Sequence, residues 1–106
     1  MTDTYKNYAT TIGVTGETTV YPGITGTAIV NAIHVSNTNV TLANSVSVHL
    51  FKGQTGFYIV RAAVLPIQAT YQALDAPIPL GTGDTLKVTA GITGGIDVIV
   101  SILEIT

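Results

Sequence analysis

Apolar and polar residues alternate along most of this 106-residue chain, and no stretch shows the period of a helix. Between Asp84 and Ile105, two such runs flank the glycine-rich segment 91–95. Because glycine tolerates positive φ, this arrangement predicts an antiparallel hairpin of two strands. The second run is also apolar on its other side, at Ile99 and Leu103, which predicts a central strand with both faces covered.

The other strand candidates follow one another at intervals of about ten residues, separated by glycine, proline or asparagine. They are 9–14, 17–21, Thr27–Asn37, Ser45–Lys52, 57–65, 69–74 and 76–80. The two prolines of the last run cannot donate to a central ladder, so we expect it at an edge or a bend. The pattern predicts an all-β, single-domain, antiparallel two-sheet sandwich of eight or nine short strands, jelly-roll-like in its connections.

Charged residues are scarce, at 9% of the chain against about 25% in ordinary soluble domains. Uncharged polar residues and glycine take their place, and covering such a surface requires few charges to lose their water. We therefore expect an exterior largely occupied by protein partners; the alternative is a secreted β domain with a threonine-rich exterior. The net charge of −2 and the scattered cations Lys6, Lys52, Arg61 and Lys87 argue against nucleic acid as a partner.

Residues 1–8 are polar, carry Tyr5 and Tyr8, and show no periodicity. One interpretation is a frayed terminus. The other is an N-terminal arm that becomes ordered on a partner, with the two tyrosines as anchors, ahead of a sandwich domain at 9–106. No apolar run approaches a membrane span, and the first residues lack the features of a secretory signal. No membrane partner is expected, and the chain is expected to stay in the cytosol where it is made.

The sequence offers no combination of residues for catalysis. None of its serines sits in a glycine-flanked strand-to-helix turn, where a nucleophile would meet its base. Two histidines are too few for a zinc site without added carboxylates. The segment Gly81-Thr82-Gly83 lacks the following helix that a phosphate-binding loop needs. We predict a protein that is not an enzyme and that needs no cofactor or metal.

Three stretches resemble a group of small β-sandwich structural proteins from the particles of tailed bacteriophages. Thr27–Asn37 resembles their first long strand, Leu74–Leu80 their proline-bearing bend, and Gly83–Ala90 with Asp97–Ile105 their closing hairpin. The resemblance implies a virion component that is not an enzyme. The commonest such protein is a capsid cement or decoration protein, a homotrimer on the capsid exterior that clamps major capsid protein subunits together. It would be made in the host cytoplasm.

Under this hypothesis, partner contacts are expected at residues 1–8 and at the loops Gly23–Gly26 and Gly53–Gly56. The candidate contact residues are Tyr5, Tyr8, Ile24, Thr25, Gln54, Thr55, Tyr58 and Tyr71. A second structural interpretation places the domain in the neck, tail or baseplate of the particle. A third is a carbohydrate- or receptor-binding module that stacks sugars on Tyr58 and Tyr71, although scattered tyrosines on a sandwich more often belong to a core or an interface.

Overall fold

The computed structural model describes residues 3–13, 15–39, 41–74, 76–92 and 95–105, and within these ranges it contains nine β-strands and no helix. In chain order the strands are β1 (Asp3–Ile12), β2 (Thr18–Tyr21), β3 (Thr27–Asn37), β4 (Asn44–Lys52), β5 (Thr55–Leu65), β6 (Thr70–Gln72), β7 (Ile78–Leu80), β8 (Thr85–Ala90) and β9 (Ile96–Ile105). All of their pairings are antiparallel.

The strands form two sheets, one in the order β1-β9-β3-β6 and the other in the order β2-β8-β4-β5. The short strands β6 and β7 pair with successive parts of β3 and so act as one interrupted strand. The pairs β1·β9, β2·β8, β3·β6/β7 and β4·β5 are therefore nested, as in a long hairpin rolled into two sheets. This nesting is that of a jelly roll, so the predicted all-β two-sheet sandwich is confirmed.

The core lies between the sheets, because alternate residues of each long strand point inward. β9 buries Ile96, Val98, Val100 and Ile102, while the residues between them remain at least partly exposed. The accessible surface of 5597 Å² equals what area scaling gives for a folded chain of 11.0 kDa, about 5,600 Å². The interior is therefore of ordinary size for such a chain, and it forms without cysteine.

The prediction that β8 and β9 form a hairpin is wrong. β8 pairs with β2 and β4 in one sheet, whereas β9 pairs with β1 and β3 in the other. The segment 91–95 thus connects the two sheets instead of turning within one. Alternation shows which side of a strand is buried, and two strands that face each other across a core have the same alternation as two that pair.

β9 is central, as predicted, but its outer side is not covered within this chain. Ile99, on that side, is 46% exposed. β3 is also central, and a bulge between Val30 and Ala32 changes the side on which its core residues lie. Ala28 and Val30 are buried before the bulge, and Ile33 and Val35 after it, so the single alternation expected along β3 is interrupted.

The loop expected at Gly53–Gly56 is the turn of a hairpin between β4 and β5, and it is shorter than expected. Lys52 pairs with Thr55, which leaves Gly53 and Gln54 as the turn. Gly53 has a φ of 64° and occupies the first central position, where a type II′ turn has glycine. β5 is the outermost strand of its sheet, although its apolar sequence is typical of a covered strand. β7 lies beside β3 alone, in agreement with the edge position expected from its proline.

The structure differs from the expectation of a separate N-terminal arm at 1–8. Residues 3–8 lie within β1, which pairs with β9 without interruption from Asp3 opposite Ile105 to Ile12 opposite Ile96. They are ordered on their own chain because β9 offers them a continuous ladder. Met1 and Thr2 lie outside the described residues.

Candidate interaction surface

Tyr5 and Tyr8, the two predicted anchors, have different surroundings. Tyr5 is 78% exposed on the outer side of β1, opposite Leu103. Tyr8 points inward, its hydroxyl donates to Glu104 Oε2 at 2.7 Å, and its ring meets the edge of the Tyr21 ring at 5.0 Å. Tyr5 is thus available to a partner, whereas Tyr8 joins the two sheets of its own sandwich.

Glu104 is a buried carboxylate at the centre of this contact, 3% exposed. It accepts hydrogen bonds from Tyr8 and from Tyr21, the latter at 3.1 Å, and Lys6 Nζ lies 3.0 Å from its Oε1. β1, β9 and β2 each contribute to the cluster, so it connects both sheets. A buried charge is tolerated because cation and hydroxyl donors replace its water.

The cluster shifts the pKa values of its members. Burial alone would raise the pKa of Glu104, but the hydrogen bonds from Tyr8, Lys6 and Tyr21 outweigh it and hold that pKa below its ordinary value. The hydrogen bond to Glu104 is the main cause that raises the pKa of Lys6 and of Tyr8. Burial, followed by the same carboxylate, raises the pKa of Tyr21.

The two loops predicted to reach partners lie at one end of the sandwich. Ile24 is partly buried against the core and its carbonyl accepts from Gly83 N–H at 3.1 Å, while Thr25 is exposed. Gln54 and Thr55 are exposed at the tip of the β4–β5 hairpin.

Asp84 connects this hairpin to the other loops. Its Oδ2 accepts from Lys52 Nζ at 2.7 Å and from Gly81 N–H at 2.8 Å. Both donors lower the pKa of its carboxyl, Lys52 the more strongly. Gly23, with a φ of 86°, packs so closely that a Cβ there would lie 2.9 Å from the Asp84 carbonyl oxygen. We call this region, with the Lys6–Glu104 pair beside it, the ion-paired end.

Tyr58 and Tyr71 lie on different sheets, and no contact among the described residues joins them. Tyr58 is opposite His49 on β4, and Tyr71 is opposite Val35 on β3. The Tyr58 ring already has the Arg61 guanidinium 5.2 Å from its centre and the His49 ring at 4.4 Å.

The same outer face carries Lys87, whose Nζ lies 4.5 Å from the centre of the Phe51 ring. His49 packs between Phe51 and Tyr58, and Glu17 Oε2 lies 3.9 Å from its Nδ1. The aromatic rings of this face are therefore packed by side chains of their own chain. Because Tyr58 and Tyr71 lie on different sheets, the alternative in which they stack sugars would need two separate platforms.

The opposite end of the sandwich shows a feature that sequence reasoning missed. The connections after β3, β5 and β8 meet there, and their residues 38–43, 66–69 and 91–95 include no Asp, Glu, Lys or Arg. Thr38 N–H donates to the Gly95 carbonyl at 2.6 Å and Asn37 N–H to the Ala69 carbonyl at 2.8 Å. We call this region the uncharged end.

Three apolar side chains are exposed at the uncharged end or beside it. Leu42 is 56% exposed, Ile67 is 46% exposed, and Val64, near the end of β5, is 71% exposed. We call these three residues the apolar corner. The lack of charge in two separate loops was readable from the sequence, but their meeting was not.

Two open depressions on the outer face of the first sheet, one beside Ile99 and one beside Ser101, have volumes of about 220 and 280 Å³. Both volumes are below the range of about 300–1,000 Å³ of small-molecule pockets. In the part of the chain that the structure describes, no group of three or more His, Cys, Asp or Glu side chains is placed to hold a metal ion. Nor do the described residues include a helix long and apolar enough to cross a membrane.

No protein-family model matches this sequence, and no curated protein matches it significantly. Solved structures do share its fold. A structure described as Bacillus endospore appendages that form disulfide-linked pili matches with a TM-score of 0.56 at 14% identity, over 97% of this chain and 86% of that chain. A pentameric capsid protein from metagenomic phage sequences matches with a TM-score of 0.50 at 13% identity, over 94% of this chain and 59% of that one. At these identities the similarity shows the fold alone.

Proposed function

We propose that this chain is a structural subunit of a tailed-phage particle and has no enzymatic activity. Within that class we propose a capsid cement or decoration protein, a homotrimer on the capsid exterior that binds the major capsid protein. The observation that carries the proposal is the exposure of large apolar side chains on a chain with few charges. Eight of them are 39% to 78% exposed among the described residues, and charged residues make up only 9% of the sequence. Protein partners cover such a surface at little cost in charge desolvation.

The structural neighbours are consistent with this proposal. One is described as a pilus and the other as a phage capsid protein, and both terms denote assemblies of repeated subunits. A jelly roll suits such an assembly because its two packed sheets form a rigid body whose loops gather at two opposite ends. Several surfaces of one small domain can then bind neighbours at once.

The proposed mechanism is additive contact. Each copy would bury surface on two or more shell subunits and so raise the work needed to separate them. Tyr5, on the edge strand β1, is the side chain best placed for contact with shell subunits, since its ring is exposed. Thr25, Gln54 and Thr55 remain candidate contacts at the ion-paired end. Ile24 and Tyr8 are less suited, because both already pack within the chain.

Mass photometry of empty shells from the encoding phage, with and without the purified chain, tests this proposal. We expect an increase in shell mass equivalent to on the order of hundreds of copies, one set for each group of capsomers. Binding of about six or twelve copies to neck or tail complexes would instead support the neck, tail or baseplate placement. No binding to either would contradict a structural role in the particle.

A further inference from the structure

The apolar corner is held in place by one buried side chain. Asn37 is 1% exposed, and its Nδ2 donates to the carbonyls of Leu42, Leu65 and Pro66 at 3.1, 3.1 and 3.2 Å. Its Oδ1 accepts from Asn39 N–H at 3.0 Å. The backbone that carries Leu42 is thus fixed to the backbone that precedes Ile67. Side chains on a fixed backbone lose little further conformational entropy when a partner covers them, which favours binding.

The charge distribution indicates which partner fits this surface. In a cyclic oligomer, residues near the rotation axis meet their own copies, so any charge there faces like charges. At the ion-paired end, copies that packed together would have to bury the Lys52–Asp84 pair, whose charged lysine side chain is 57% exposed. The residues 38–43, 66–69 and 91–95 of the uncharged end present no such charge.

The nearest charges to the uncharged end are directed toward side chains of their own chain. Glu17, at the end of the β1–β2 connection, is directed toward His49 on the outer face of β4. Asp97, one residue into β9, accepts from Thr11 Oγ1 at 2.8 Å on the outer face of the first sheet. The uncharged end can therefore lie near a rotation axis without repulsion between copies.

We infer that the uncharged end is the surface through which copies of this chain associate, with the apolar corner of each buried against its neighbours in a cyclic trimer. This inference rests on the homo-oligomer in the proposed function and identifies the surface that forms it. The molecule measures 47 × 26 × 22 Å, so its cross-section is about 570 Å², less than the roughly 800 Å² per partner of a standard interface. The contact therefore continues from the end onto β5, where Val64 is exposed.

Two isoleucines of equal exposure provide a matched test. Ile67 belongs to the apolar corner, Ile99 lies on the outer face of β9, and each is 46% exposed. Native mass spectrometry across a concentration series would give the oligomer dissociation constant of the wild type, Ile67→Glu and Ile99→Glu. Ile67→Glu brings three like charges together at the axis, so we expect its dissociation constant to rise about tenfold or more, and that of Ile99→Glu to stay within about twofold of wild type. Circular dichroism melts of both variants confirm that each remains folded, and Leu42→Glu is a second corner variant.

The possible outcomes distinguish a failure of this inference from a failure of the proposed function. A wild type that stays monomeric at every concentration would overturn the homo-oligomer, and this inference with it. An oligomer that Ile99→Glu weakens and that Ile67→Glu and Leu42→Glu leave intact would overturn the inference alone. A folded Ile67→Glu that loses shell binding but keeps its oligomer would also overturn it, because the corner would then face the shell protein and not other copies.

Discussion

The two ends of the sandwich hold their loops together by different means. At the ion-paired end, Asp84 connects Lys52 to Gly81, and Glu104 connects Lys6 to two tyrosines. At the uncharged end, the amide of Asn37 performs this task through backbone carbonyls. Charge at the first end is satisfied within the chain, whereas the second end leaves Leu42 and Ile67 exposed. Scarce charge on this protein therefore does not mean a uniform exterior, because ion pairs lie at one end and the loops at 38–43, 66–69 and 91–95 have no charged residue.

The largest effect is expected from removing the buried carboxylate of the ion-paired end. Glu104→Ala leaves the hydroxyl of Tyr21 buried without its acceptor and releases Lys6 to solvent. We expect a loss of about 3 kcal/mol in the free energy of unfolding, measured by urea denaturation of the monomer. Asp97→Ala is the control, since Asp97 lies on the outer face and accepts a hydrogen bond from the exposed Thr11; it should change stability by less than about 0.5 kcal/mol. Equal losses in the two variants would contradict a special role for the buried cluster.

The loops of the uncharged end are stabilised by a neutral hydrogen-bond donor, the side-chain amide of Asn37. Substitution of Asn37 therefore complements the substitution of Glu104. Asn37→Ala should cost about 2 kcal/mol, because the carbonyls of Leu42, Leu65 and Pro66 lose their donor. Asn37→Asp keeps the shape but offers only acceptors to those three carbonyls, so it should cost at least as much as Asn37→Ala. Urea denaturation of both variants checks this order. An Asp variant as stable as wild type would show that the Asn37 amide does not donate as described.

The pH dependence of stability should come from the ion-paired end. The folded pKa of Glu104 and of Asp84 lies below the ordinary value, so their contribution is present above about pH 4.5 and is lost as pH falls through the folded pKa. The folded pKa of Tyr8 and of Tyr21 is raised, so the contribution of these tyrosines to stability is present below about pH 10 and is lost as pH rises through the folded pKa. In thermal melts from pH 2 to 11, the melting temperature of Glu104→Gln should fall less steeply toward acidic pH than that of wild type. The melting temperature of Asn37→Ala should fall in parallel with that of wild type. If the melting temperature of Asn37→Ala also fell less steeply toward acidic pH, the acid dependence would not be specific to the ion-paired end.

The smallest effect is expected for the half-exposed ion pair. Lys52→Ala removes a partner of Asp84 whose side chain is 57% exposed, and Gly81 N–H still satisfies the carboxylate. We expect a loss of about 0.5 kcal/mol or less that shrinks further in high salt. Urea denaturation at low and high ionic strength measures both effects. A loss near that of Glu104→Ala would mean that removing the exposed cation of a pair costs as much as removing a buried carboxylate.

Much of the fold could be predicted from the sequence, because alternation reports burial directly. It located the long strands β3, β4, β5 and β9. It failed where the burial pattern alone does not determine which strands pair or where a strand begins. It could not show that β8 and β9 face each other across the core, and it could not detect the bulge at Asn31 that changes the buried side of β3. β1 was missed in its first half because its inward residues Lys6 and Tyr8 are polar. They point at Glu104, a buried charge more than ninety residues away in sequence.

The sequence predicted that this protein contacts other proteins, but it did not predict which residues form the exposed apolar surface. Low charge indicated contact with proteins, and the exposed position of Tyr5 agrees with that expectation. Leu42 and Ile67 are single apolar residues in polar loops, and local pattern gives no reason to select them. The backbone segments beside them are connected by Asn37, whose side chain donates to Leu42 and, 28 residues from Asn37 in the sequence, to Leu65. Only the folded chain brings those segments together.

Hydrogen exchange of the wild-type chain at low and at high protein concentration compares the two ends most directly. The account predicts that backbone amides of 38–43 and 65–69 become protected as concentration rises, while those of 22–26 and 53–56 do not change. Protection that appears at 22–26 and 53–56, with 38–43 and 65–69 unchanged, would contradict it.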